Sequence, residues 1–118
     1  MNGAQIDAGR RAEELAGVHL SRHGLRIVAR NVRYRDGEID IVCEDRDTLV
    51  FVEVRLRRDE RFGGSAASIT PHKRARVIRA ALRYLSSRPE RPCRFDVVLI
   101  ASLEPLKLEW IKDAFQVG

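Results

Sequence analysis

No stretch of the 118 residues approaches the ~20 consecutive apolar residues that span a bilayer. Met1 to Arg11 also lacks the apolar centre of a secretory leader. A cytoplasmic protein with no membrane contact is therefore expected. Cysteine is scarce: Cys43 and Cys93 sit inside apolar runs, which excludes a disulfide framework and predicts buried free thiols in a reducing compartment. Together with His19, His23 and His72 they show no zinc-type spacing. Seven aromatic residues (one Trp, two Tyr, four Phe) are too few for an obvious single-strand stacking platform. Tyr84 and Trp110 are read as core or core-edge residues, and His19 and His23 likewise as core-edge residues. Internal repeats and low-complexity tracts are absent as well.

What is present suffices for a core. Hydrophobic residues make up 44%, and although 33% are charged, the apolar residues fall in ordered runs, which excludes disorder. The length fits one domain over residues 1–118. Lys plus Arg is 22 against 17 for Asp plus Glu, a net charge of +5. The excess points to an anionic partner, nucleic acid before a membrane surface.

The chain order reads α-β-β-β-α-β with one extra strand. A helix is predicted from about Asp7, as N-cap, to His23, with Gly24 as its stop. Strands follow over about Leu25–Arg35, Glu38–Glu44 and Thr48–Arg57, with turn signals at Asp36-Gly37 and around Asp45-Arg46-Asp47. Arg58–Ile69, with Gly63-Gly64-Ser65, reads as a mobile loop. Thr70-Pro71 opens a second helix to about Ser87. An apolar strand, Arg94–Ala101, comes next, and a shorter one carries Leu106, Leu108 and Trp110. Three meandering strands followed by a helical crossover imply a mixed sheet flanked by helices.

The strand pattern makes a sharp statement about two acids. If Ile39, Ile41 and Cys43 share a face with Val50, Val52 and Val54, then Asp40 and Glu53 share the other. A two-residue turn at Arg46-Asp47 sets them directly opposite, with Cβ atoms ~4.5–5.5 Å apart. Two carboxylates so placed repel unless something positive lies between them, and a divalent cation is one answer. The plainer alternative is a solvated face paired with Arg55 and its neighbours. It is weakened because Glu53 sits inside Leu49-Val50-Phe51-Val52-Glu53-Val54, where an unpaired buried charge is costly. Glu13 falls at the edge of the first helix's apolar stripe, with Gly9 and Gly17 leaving space around it. Spacing alone favours an ordinary exposed glutamate there.

Basic residues cluster three times: Arg22, Arg26, Arg30, Arg33 and Arg35; Arg55, Arg57, Arg58 and Arg61; and the helical stripe His72, Arg76, Arg79 and Arg83. No acidic residue occurs between Pro71 and Ser87, so local i,i+4 pairing cannot neutralise that stripe. Arginine's planar fork suits phosphate oxygens, so backbone contact to nucleic acid without base-edge readout is expected.

Gly9-Arg10-Arg11-Ala12-Glu13, Asn31, Gly37-Glu38-Ile39-Asp40, Val50-Phe51-Val52-Glu53-Val54-Arg55, Arg61-Phe62-Gly63-Gly64, Lys73 and Arg94-Phe95-Asp96-Val97-Val98 occur in that order. The set, spread over nearly the whole chain, resembles the YraN-like family of uncharacterised bacterial proteins. Those are regarded as distant relatives of the archaeal Holliday junction resolvases in the PD-(D/E)xK nuclease superfamily. The resemblance implies a restriction-endonuclease-like αβββαβ core and a divalent metal, Mg²⁺ or Mn²⁺, held by Glu13, Asp40 and Glu53. It also implies nuclease chemistry on DNA, branched or damaged DNA included, and allows a homodimer. Two departures stand out. Ala12 replaces a frequent glycine, and Arg55 replaces the motif lysine. Arginine stays protonated and cannot serve as a base, although it can orient a phosphate and stabilise transition-state charge. Lys73 is either a migrated counterpart of that lysine or a surface residue. The expected catalytic set is Glu13, Asp40, Glu53 and Arg55. The expected nucleic-acid-binding set is Lys73, Arg76, Arg79, Arg83, Arg57 and Arg58. The alternative is a nucleic-acid-binding module with a nuclease fold and little or no activity.

Overall fold

The structure is a computed structural model that describes residues 3–56 and 69–117, residues 3–7 as backbone only. Its elements run α1 (Gly3–Arg22), β1 (Arg26–Tyr34), β2 (Gly37–Asp45), β3 (Thr48–Leu56), α2 (Pro71–Leu85), β4 (Cys93–Leu103) and β5 (Leu106–Phe115). This is the αβββαβ order with one added strand. Helix α1 begins before Asp7, the expected N-cap, because Ala4, Gln5 and Ile6 continue a helix as readily as Asp7 starts one. At its other end the Leu25 N–H donates to the Leu20 carbonyl and the Gly24 N–H to that of Ser21, both at 3.1 Å. Gly24 takes a φ of +93°, so the helix closes in a Schellman turn that favours glycine. Helix α2 starts as its sequence predicts. The Thr70 hydroxyl accepts from the Lys73 N–H at 3.2 Å, and Pro71 occupies the first turn.

The five strands lie in chain order, β1-β2-β3-β4-β5, with β3 and β4 parallel and the other pairs antiparallel. One helix covers each face. Ala12, Ala16 and Leu20 of α1 pack with Ile41, Cys43, Val50, Val52, Val98 and Ile100. Val77, Ala80, Ala81 and Tyr84 of α2 pack with Ile39, Val42, Leu49, Phe51, Phe95, Val97 and Leu99. Strand β4 is interior to the sheet, and β5 is as long as its neighbours rather than short. Cys43 is buried as expected, and burial pushes its thiol up to about 12. Cys93 is exposed, against expectation, because it opens β4 at the sheet's end, just after Pro92. Trp110 and Tyr84 are at the core edge and in the core as predicted. Among the described residues no helix is long and apolar enough to cross a membrane.

Candidate functional site

Strands β2 and β3 pair from Asp45↔Thr48, across the two-residue turn Arg46-Asp47, to Ile41↔Val52. One step further Asp40 stands opposite Glu53, as the alternation predicts. The ladder stops there, and the Val54 N–H donates instead to the Asp40 Oδ2 at 2.8 Å. Glu53 is only 7% exposed, walled in by strand neighbours on both sides. Ile41 and Val52 are buried toward α1, and Val54 packs on the same side. Ile39 does not share that face. It packs toward α2, because the strand's alternation slips by one residue at Asp40.

The two carboxyls hydrogen-bond to each other. Burial, then the Asp40 charge and the shared hydrogen bond, push Glu53 up to about 8. Burial raises Asp40 as well, opposed by the hydrogen bonds from Glu53 and from the Val54 N–H. Glu53 is therefore the carboxyl of the pair that holds a proton to higher pH, with Asp40 on the accepting side of the shared hydrogen bond. A shared proton and a bound cation are two ways to reconcile the same pair of charges.

Three cationic side chains meet this pair. The Lys73 Nζ, from the first turn of α2, is 4.0 Å from the Glu53 Oε2. Arg55, two residues along β3, also lowers the Glu53 carboxyl, though less than Lys73 does. Arg76 joins Glu38, Glu53, His72, Lys73 and Val77 in lining an open cleft of about 290 Å³ on the α2 side. Lys73 thus has its ammonium beside Glu53 while its side chain, in the first helical turn, stays 41% exposed, which is compatible with both of its sequence readings. Glu38 is a cleft residue that strand pattern does not separate from any other exposed acid. Its only signal is its place two residues before Asp40.

Glu13 approaches from α1. Burial and the Asp40 charge raise its carboxyl, while Arg33, the nearby Asn31 amide and Arg30 pull it down. Glu13 thus senses Asp40, yet among the described residues no three His, Cys, Asp or Glu side chains are gathered closely enough to hold an ion. The Asp40–Glu53 pair alone still fits Mg²⁺, which takes one or two carboxylates and completes its shell with water and phosphate oxygens.

The basic stripe of α2 is divided. Arg76 lines the cleft. The Arg79 Nε donates to the Asp36 carbonyl at 3.0 Å and lies 3.9 Å from its carboxylate, so a distant acid on the β1–β2 turn supplies the partner that its own helix lacks. Arg83 lies over the Tyr34 ring, 5.7 Å from its centroid. In the first arginine cluster Arg26 pairs with Glu44, and Arg33 with Glu38. Arg57, Arg58 and Arg61, with the expected loop at Gly63-Gly64, lie outside the described residues.

Sequence reasoning misses Asp96, although an acid inside Phe95–Ile100 gives the same signal as Glu53. It is fully buried and fully satisfied: it accepts from Arg94, from the Trp110 Nε1 at 3.0 Å and from the Asp113 N–H at 2.9 Å. Its oxygens are spent on tying β4 to β5, which leaves it a structural acid.

A family model described as uncharacterised protein family UPF0102 matches residues 12–100. That span holds Glu13, Asn31, Asp40, Glu53, Arg55 and Lys73, and it ends before β5. A UPF0102 protein of Dechloromonas aromatica (strain RCB) is 55% identical over 114 residues, covering 97% of this chain and 92% of the relative. One from Xanthomonas campestris pv. campestris (strain B100) is 49% identical over 120 residues, covering 99% and 98%. These are the YraN-like proteins that the motifs resemble.

Proposed function

The chain belongs to the uncharacterised protein family UPF0102, and we propose that it is a divalent-metal-dependent nuclease acting on phosphodiesters of DNA. One observation carries the reading: a carboxyl pair, half-buried Asp40 and buried Glu53, opening on a cleft lined by Lys73 and Arg76. A purely structural acid pair would need no cationic cleft beside it. Asp40 and Glu53 would hold Mg²⁺ or Mn²⁺, with Glu13 at the rim; such an ion polarises a phosphoryl oxygen and favours ionisation of water. Lys73, Arg55 and Arg76 supply fixed positive charge where a phosphate gains negative charge in the transition state. Arg55 performs that part of a motif lysine's work which needs charge alone, since it does not release its proton.

That same property of Arg55 favours a second reading, a module that binds nucleic acid in this cleft and cuts it slowly or not at all. Cleavage of duplex, single-stranded and branched DNA with Mg²⁺ or Mn²⁺ separates the two. The nuclease reading expects cleavage by the wild type, none by Asp40→Asn, and a loss of ~10²–10³-fold in Arg55→Ala, the scale of removing one transition-state donor. It expects Arg55→Lys to match or exceed the wild type. Binding that persists without cleavage by any variant overturns catalysis and leaves the module.

A further inference from the structure

Gly17 stands inside α1, where glycine is a poor helix former. The space left by its missing side chain is filled from outside the helix. The three atoms that a Cβ there would meet first all belong to the Arg30 guanidinium. Glu13 and Gly17 are one turn apart and share a helix face. At Glu13 the Arg30 Nη1 donates to the backbone carbonyl at 3.4 Å. Arg30 can reach α1 because strand β1 kinks directly after it. Asn31 takes a φ of +51°, and Val32 packs toward α2, whereas a regular strand would send residues 30 and 32 to one face. On the sheet Arg30 pairs with Ile41, the residue next to Asp40. Its guanidinium is thus laid across the helix beside the acids. Arg26, Arg33, Arg79, Arg91 and Arg94 are each balanced by a carboxylate. Arg30 differs: among the described residues it forms no ion pair, and the one carbonyl it meets leaves most of its N–H donors unspent.

We infer that Arg30, seated on Gly17, is a phosphate contact on the α1 side of the acidic site, a counterpart to Lys73 and Arg76 on the α2 side. The inference rests on reading the cleft at Asp40 and Glu53 as the place where a DNA backbone lies. Helices α1 and α2 cover opposite faces of the sheet, so a strand that crosses the acid pair passes from one group of cations to the other. A guanidinium presents a planar fork that matches phosphate oxygens, and one already held in place loses less freedom on binding than a long side chain free in water. A staple between α1 and β1 would not require the charge.

Gly17→Ala separates the seat from the charge. The added methyl displaces only the far end of a flexible side chain, alanine suits a helix better than glycine, and the net charge is unchanged. Binding of a generic DNA duplex is measured against salt without divalent metal, so that cleavage plays no part. Arg30→Ala is expected to lower the log–log slope by ~0.9, one phosphate's worth. Lys107→Ala removes a charge from β5, at the opposite edge of the sheet, and is expected to lower the slope by clearly less. Arg30→Lys is expected to keep most of the slope but to bind several-fold more weakly, since a point charge lacks the fork. Gly17→Ala is expected to bind several-fold more weakly than the wild type, with an unfolding midpoint at least as high, and to change nothing further in the Arg30→Ala background. A slope in Arg30→Ala equal to that of the wild type or of Lys107→Ala overturns the contact. Binding by Gly17→Ala as tight as the wild type's, or an equal loss in both backgrounds, overturns the seat and the inference with it. If Lys73→Ala lowers the slope and Arg30→Ala does not, the cleft reading stands and the inference alone falls. A wild type that binds no DNA sinks both.

Discussion

Two carboxyls held against each other, one of them buried, cannot both ionise cheaply, and the consequence is measurable at Asp40 and Glu53. The Glu53 carboxyl titrates at about 8 in the folded chain against 4.5 as its ordinary value. Between those values the folded state binds a proton that the unfolded state has released, so the free energy of unfolding falls as pH rises through the window and levels above it. Asp40, also raised, contributes with the same sign. Urea unfolding from about pH 5 to about pH 8 should show the wild type losing a few kcal/mol, since each tenfold difference in proton affinity between the two states is worth ~1.4 kcal/mol. Glu53→Gln, neutral at every pH, should flatten most of that slope. Parallel curves for the two proteins would mean that Glu53 carries no proton. A bound divalent cation reverses the trend, since it competes with the proton, so Mn²⁺ should stabilise the wild type more at pH 8 than at pH 5.5.

At the scale of elements, the approach of α2 to β2 decides which charges enter the cleft. The Asp36-Gly37 pair reads as a turn, but the hairpin needs only Arg35 and Asp36, and Gly37 already pairs with Tyr34. Its lack of a side chain serves the helix instead, because a Cβ there would collide with the Arg76 carbonyl oxygen. Gly37→Ala should therefore force α2 outward and cost ~1–3 kcal/mol, the range for overpacking, measured by the urea midpoint. A change below about 0.5 kcal/mol would show that the helix gives way freely. This glycine marks where sequence reasoning ends. Period-2 alternation and a two-residue turn specify the register that brings Asp40 to Glu53, because a one-residue error would bury charges along the whole hairpin. Alternation is a rule of regular strands, however, and it fails at Ile39, where the chain slips opposite Asn31. The closeness of Lys73 to Glu53 is not legible either, since it depends on how near one helix packs to the sheet.

Over the whole molecule the net charge of +5 is distributed unevenly in its effect. Arg79 is held by Asp36 and Arg26 by Glu44, while Arg76 and Lys73 line the cleft. Affinity for duplex DNA should fall steeply with salt, each neutralised phosphate adding ~0.9 to the log–log slope. Arg76→Ala should lower that slope by about one phosphate's worth, and Arg79→Ala by clearly less. Equal effects would return the helix to a uniform basic face. The central claim remains the carboxyl pair as the seat of a divalent ion, and calorimetric titration of Mn²⁺ into the wild type and into Asp40→Asn, at pH 8 and again at pH 5.5, tests it most directly. The account predicts saturable binding by the wild type, weaker at pH 5.5 where the proton competes, and none by Asp40→Asn. Binding that is equal in the two proteins, or absent from the wild type at pH 8, would contradict it.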